Sequence, residues 1–197
     1  MFLKHPAEDE KVRALYQSDL KEDGFIMNLT RLWAWHPELT EAFMQARMMI
    51  PASNVFSKRE LAVMVCSMAR TLGDSYCALA WGKRLADASS QETAAAVLTT
   101  GDFPVLSPRE TALAHWTRQI VKDPNATTHA DVDKLRDAGL SEREIFDATV
   151  FIALRLAFST VNDALGVHPD PQVAEQAPAV VRKAVSFGRQ PAPASQT

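Results

Sequence analysis

Apolar residues recur every three or four positions along most of this chain, the spacing of helices with one buried face. Residues 8–20 read as a short amphipathic helix that the Asp23-Gly24 turn ends. Leu29, Leu32 and Trp33, then Leu39 and Phe43, continue the spacing on either side of Pro37. That proline suits the first turn of a new helix running to about Ile50, where Pro51 is expected to stop it. Leu61, Met64, Val65, Met68 and Leu72 line one face of a further helix, closed by Gly73. Asp74 can cap the next, from about Ser75 to Ala88. Thr128 and Asp131 open a short helix that Gly139 closes. Ile145, Ala148, Ile152 and Leu156 belong to a helix so continuously apolar that a central position is expected for it. Gly101–Val105 reads as a loop, and His168–Pro178 as a proline-punctuated stretch. A last short helix is expected near Ala179–Phe187, before Gly188, with a disordered tail from Gln190.

Three of these helices open with one device: Ser57-Lys58-Arg59-Glu60, Ser107-Pro108-Arg109-Glu110 and Ser141-Glu142-Arg143-Glu144. Each is a capping box, in which the serine accepts from the amide three residues on and the glutamate reaches back to the serine amide. The recurrence hints at two related helical halves.

Composition sharpens this to an all-α expectation. Alanine is abundant and isoleucine scarce, and there are only 7 glycines in 197 residues, a balance that favours helices over strands and turns. The length suits one domain with a core of its own. The net charge is −3 and no basic stripe stands out, which argues against nucleic acid as a partner. No apolar run approaches a membrane span, and Met1–Glu10 has no signal-like apolar region. Cys66 and Cys77 make no disulfide framework, so a reduced, cytoplasmic setting is expected.

Cys77 is the most informative residue. With Asp74 as N-cap, the thiol falls in the first turn of a helix, whose dipole lowers a thiol pKa, while the capping carboxylate raises it. The alternative is a buried packing cysteine. Cys66 falls away from the Leu61/Met64/Met68 face and reads as a packing residue. Glu60 is explained by its capping box, or serves as a proton acceptor. His5, His36, His115, His129 and His168 show no metal-ligand spacing, and no nucleotide-binding or hydrolase motif is present, so no metal or cofactor is expected. Trp33, Trp35, Trp81 and Trp116 are read as core or interface anchors, and the basic candidates for substrate binding are Arg70, Arg84 and Arg155.

Arg59-Glu60-Leu61, the apolar helix after it, and Leu72-Gly73-Asp74-Ser75-Tyr76-Cys77 resemble the core of the carboxymuconolactone decarboxylase / alkyl hydroperoxidase D (AhpD-like) family, in its peroxidase-related branch. The likeness extends to Asn28–Leu39, Leu106–Glu110, Ala138–Ile145, Val161–Gly166 and Ala184–Arg189. The resemblance implies an all-α protein that assembles as a dimer, trimer or hexamer. It divides the chain into an N-terminal helical extension (1–24), an AhpD-like domain (25–189) and a tail (190–197). Peroxidase members carry Cys-x-x-Cys-x-x-x-His at a helix start, preceded by a helical glutamate. Carried over, Cys77 matches the peroxide-reacting cysteine and Tyr76 the residue usual before it. Asp74 stands where the resolving cysteine would be, Trp81 where the histidine would be, and Glu60 matches the relay glutamate in type at a slightly longer spacing.

Without an adjacent resolving thiol, the implied activity is reduction of a hydroperoxide by Cys77 alone, with Glu60 as proton acceptor. Asp74, Tyr76 and Trp81 would shape the pocket, and an external thiol would restore the enzyme, as in antioxidant defence. The alternatives are a lactone or keto-acid decarboxylase of the same family, and a non-catalytic oligomeric member.

Overall fold

The computed structural model describes residues 1–99 and 105–193. Among these are eleven α-helices and no strand: α1 (Glu10–Glu22), α2 (Asn28–Trp33), α3 (Pro37–Ala52), α4 (Lys58–Leu72), α5 (Ser75–Ala88), α6 (Gln91–Thr99), α7 (Pro108–Lys122), α8 (His129–Asp137), α9 (Glu142–Ala164), α10 (Pro171–Gln176) and α11 (Ala179–Ala184). A 3-10 turn at Pro124–Ala126 joins α7 to α8.

The central helix is α4, where Leu61–Ala69 are buried without interruption. It packs against α5, α6, α7 and α9. The expectation that α9 would be central is corrected. Its Phe146 and Val161 are exposed, and it buries a stripe at Ile145, Ala148, Phe151, Ile152, Arg155, Phe158, Ser159 and Asn162. That three-and-four spacing belongs to a helix lying on one side of the core.

The three capping boxes form, each with both reciprocal bonds. Their arginines then tie the boxes together. Arg59 pairs with Glu110 at 2.6 Å, while Arg109 donates to Glu60 at 2.7 Å, to Glu144, and to the Gly139 carbonyl at 3.1 Å. The repeated Ser-x-Arg-Glu therefore starts α4, α7 and α9 and joins their first turns through partly buried ion pairs. Arg143 of the third box instead pairs within its own helix, with Asp147.

Gly73 takes a left-handed conformation (φ 86°) and receives no side-chain penalty for it, so α4 ends and Asp74 immediately caps α5. Other boundaries depart from expectation. Pro51 does not stop α3, because in the last turn its missing N–H removes a single bond, and the helix runs on to Ala52. His168–Pro178 contains α10, begun by Pro171 at its first position, and α6 was not anticipated. The last helix ends at Ala184. The loop expected at Gly101–Val105 lies, except for Val105, outside the described residues, as do residues 194–197 of the tail. Gln190 and Ala192 are bonded back, the Gln190 carbonyl to the His168 ring at 2.8 Å and the Ala192 amide to the Pro169 carbonyl at 2.9 Å.

The N-terminal segment is packed rather than detached. Val12 and Tyr16 of α1 close on Ala34, and the Phe2 amide donates to the Leu165 carbonyl at 2.8 Å. Trp33 stacks on Phe43 and on Phe158, each at 5.1 Å, and its indole N–H donates to Asn162 at 2.8 Å. This stack pins α2 and α3 to the last third of α9.

One close approach fixes how α5 meets α6 and α11. A Cβ on Gly82 would stand 2.6 Å from Val181 Cγ1 and 3.0 Å from Leu98 Cδ1. Gly82→Ala should therefore lower stability by about 1–3 kcal/mol through overpacking, read as a fall of several degrees in Tm with helicity unchanged.

Candidate functional site

The site is built at the start of α5 and along one face of α9. Asp74 is buried, and its Oδ1 accepts from the Cys77 amide at 2.9 Å, which closes the first turn of α5. Its Oδ2 accepts from the Ser159 hydroxyl at 2.6 Å. The Ser159 oxygen lies 3.5 Å from Cys77 Sγ. With the hydroxyl proton directed at the carboxylate, the serine is left to accept from the thiol. A continuous path therefore runs Cys77–Ser159–Asp74 within a buried setting.

Burial, then the Asp74 charge, push the Cys77 thiol well above its ordinary value, while Ser159 and the Arg155 cation pull the other way. The helix N-terminus does not win this contest, contrary to the lowering its dipole favours. Cys77 is only 5% exposed, so the cost of a charged sulfur in a dry site dominates. At neutral pH the resting sulfur is a thiol, and its reaction requires a proton acceptor.

Trp81 lies one helical turn after Cys77 and Arg84 one turn further, so the three share a face of α5. The Arg84 and Arg155 guanidinium carbons stand 4.5 and 4.4 Å from the Trp81 ring centre. Arg47, brought in by the aromatic stack on α3, stands 4.1 Å over Phe158. Leu61, Trp81 and Arg84 line a cavity of about 460 Å³.

The other expected site residues lie elsewhere. Glu60 opens α4, while Cys77 opens the antiparallel α5. The rise per residue separates them by about 14 Å along the hairpin. Both Glu60 oxygens are engaged, one by the Ser57 amide at 2.8 Å and one by Arg109, and its carboxyl is held below its usual value. Tyr76 points to another cluster, with Leu32 and Val167, where its phenol donates to the buried Asp170. Cys66 is fully buried in α4 with its thiol raised by burial. Of the basic candidates, Arg84 and Arg155 meet at Trp81, whereas Arg70 stacks on Phe187.

Sequence reasoning missed Ser159 and Arg47. The signal for Ser159 was present: Arg155, Ser159 and Asp163 place polar groups every four residues on a largely apolar helix, an arrangement that calls for buried partners. Arg47 carried no such mark. Among the described residues no group of three His, Cys, Asp or Glu side chains could hold a metal ion, and no helix is long and apolar enough to cross a membrane.

No family profile matches the sequence, and no curated protein does. Solved structures do. A peroxidase-related protein from Ralstonia eutropha JMP134, described as an alkylhydroperoxidase AhpD core, aligns with a TM-score of 0.76 at 18% identity, over 88% of this chain and 94% of that one. A peroxidase-related protein from Silicibacter sp. TM1040 gives 0.79 at 16% identity, over 88% and 93%. The debrominase Bmp8, as a cysteine-to-alanine variant in complex with 2,3,4-tribromopyrrole, gives 0.69 at 16% identity, over 88% and 95%. The chain has the AhpD-like fold.

Behind the relay, burial and the Asp74 charge raise the Asp163 carboxyl to about 7, against a smaller opposing effect of Arg189. Between its ordinary value near 4 and about 7, the folded protein holds a proton that the unfolded chain has released, so stability falls as pH rises through that window. Asp163→Asn should leave Tm nearly unchanged at pH 4 and raise it relative to the parent above pH 7, measured by thermal unfolding across pH.

Proposed function

We propose that this protein reduces hydroperoxides through Cys77 alone, with an external thiol as reductant, as expected of a single-cysteine antioxidant enzyme in a reducing, cytoplasmic setting. The observation that carries the reading is the hydrogen-bonded path from Cys77 through Ser159 to Asp74. It provides the base that a high-pKa thiol requires. Asp74, which replaces a resolving cysteine in the family pattern, becomes the proton acceptor in place of Glu60.

In the first half-reaction Sγ attacks the distal peroxide oxygen. The S–O bond forms as the O–O bond breaks, and the thiol proton moves through Ser159 to Asp74. The alkoxide leaves, takes the proton that Asp74 received, which restores the carboxylate, and departs as an alcohol, while Cys77 becomes a sulfenic acid. The nearby Arg155 cation opposes the negative charge that develops on sulfur and on the leaving oxygen. In the second half-reaction an external thiol attacks the sulfenyl sulfur and water leaves. A second thiol then displaces Cys77 from the mixed disulfide, giving an external disulfide and the restored thiol. Cys66, enclosed in the core, takes no part. The exposed Trp35, Leu39, Met48 and Met49 around α3 support assembly as a homo-oligomer, which sedimentation of the free chain tests against a monomer.

Cys77→Ser should abolish thiol-dependent consumption of cumene hydroperoxide, while Cys66→Ser leaves it unchanged. Ser159→Ala and Asp74→Asn should each lower kcat/KM by roughly 100-fold or more. Asp74→Asn is the sharper test. Asparagine keeps the helix cap but removes the negative charge, so alkylation of Cys77 at neutral pH should speed up while peroxide turnover falls. Parallel changes in both rates would exclude Asp74 as the acceptor, and full activity in Cys77→Ser would exclude the reading itself. Bromide release from 2,3,4-tribromopyrrole in place of peroxide turnover would move the same thiol to the chemistry of the debrominase.

A further inference from the structure

Arg47, Arg84 and Arg155 gather along the face of α5 that carries Cys77 and Trp81, and among the described residues none of them is in an ion pair. Arg155 is only 4% exposed, yet among the described residues it makes no ion pair and its Nε has no hydrogen-bond partner. Arg47 Nε and Nη1 are likewise buried and unpartnered. Arg84 forms no salt bridge either, and Asp23 feels its charge only at longer range. The charged form of Arg155 is disfavoured by burial first, then by the Arg47 and Arg84 cations. Arginine stays protonated in proteins, so the cluster holds uncompensated positive charge. Asp74 contributes one negative charge nearby, but its two oxygens accept from the Cys77 amide and Ser159 and it forms no ion pair with these arginines, so positive charge stays in excess.

The aromatic contacts explain only half of each guanidinium. Trp81, Phe151 and Phe158 cover faces, at 4.4 and 5.4 Å for Arg155 and 4.1 Å for Arg47. Stacking leaves the in-plane N–H donors free, and these are the groups that a planar carboxylate accepts from. Buried donors without partners are rare in folded proteins, and a bound acceptor would satisfy these. The Trp81 ring is shared between Arg155 inside and the cavity of about 460 Å³ that Arg84 borders with Lys58 and Asp87; Asp87 is paired with Lys83, so the wall keeps its basic character and gives an organic body room beside the charged group.

We propose that Arg84 and Arg155 at Trp81, with Arg47 at the neighbouring Phe158, form a carboxylate-binding site, so that the molecule presented to Cys77 is an organic acid, and for peroxide chemistry a hydroperoxide bearing a carboxylate. Its presentation to Cys77 rests on the peroxidase reading, whereas the binding itself does not. Neutralising the cluster with the substrate's own charge makes recognition of the acid and desolvation of the site one event.

The test is thermal unfolding of the full chain with benzoate, and with benzamide as a neutral control of the same shape, at constant ionic strength. Benzoate should raise Tm saturably, by about 3–6 °C at ten times its Kd, and benzamide should not. Arg155→Gln and Arg84→Gln should each remove the benzoate shift, and Arg70→Gln should retain it. If Arg155→Gln fails to fold, Arg84→Gln decides, since that side chain is exposed. No benzoate shift, an equal benzamide shift, or a shift retained in Arg84→Gln overturns the proposal. A benzoate shift in a protein that consumes no hydroperoxide would overturn the peroxidase reading and leave the acid site standing.

Discussion

The Asp74 carboxylate is the interaction on which the site depends. One oxygen closes the first turn of α5 and the other accepts from Ser159 on α9. A helix cap needs an acceptor facing the exposed amides, and a short polar side chain just before the helix is the group that reaches them. Here the same group also faces the neighbouring helix, so the start of α5 and the last third of α9 are held in one register. Cys77 sits between the two bonds. Its environment is thus set by a residue whose first task is to begin a helix.

The frame around this joint is polar at one end and aromatic at the other. At the openings of α4, α7 and α9, Arg59 and Arg109 bridge neighbouring capping boxes, so helices that start with the same four-residue pattern are tied at their first turns. Near the far end of α9, the stack of Trp33, Phe43 and Phe158 carries α3 inward. That stack is what delivers Arg47 to the cysteine. Glu60 belongs wholly to the first device and is separated from the thiol by the length of the α4–α5 hairpin. A glutamate that matches a relay residue by type therefore works in this chain as a cap and an ion-pair partner.

Charge and burial pull against each other throughout the site. Burial raises the Cys77 thiol and the Asp163 carboxyl and disfavours the charged Arg155, each toward its neutral form. The site therefore holds the Asp74 carboxylate as its negative charge beside three cations. A serine and an aspartate in line with the thiol supply a route for its proton, and the cations supply a place for an acid to settle. Both features follow from the same dry interior, in which every charge must find a partner or move a proton.

The sequence by itself determined the helices and their starts. Capping boxes, Gly73 and Asp74 act over four residues or fewer, so the chain carries that information locally, and the boundaries of α4 and α5 could be read from it directly. The place of Cys77 in the first turn of α5 was legible for the same reason. What tertiary structure alone decided is which helix is central, which residues face Cys77, and which way its pKa moves. Apolar continuity suggested α9 for the centre, yet α4 took it, because burial is fixed by how many neighbours surround a helix rather than by its own composition. Ser159, Arg47 and Arg155 come from parts of the chain far from Cys77, and packing places them beside it. The helix dipole and the capping charge could both be named from the sequence, but the desolvation that outweighs them exists only once the core has closed over the sulfur.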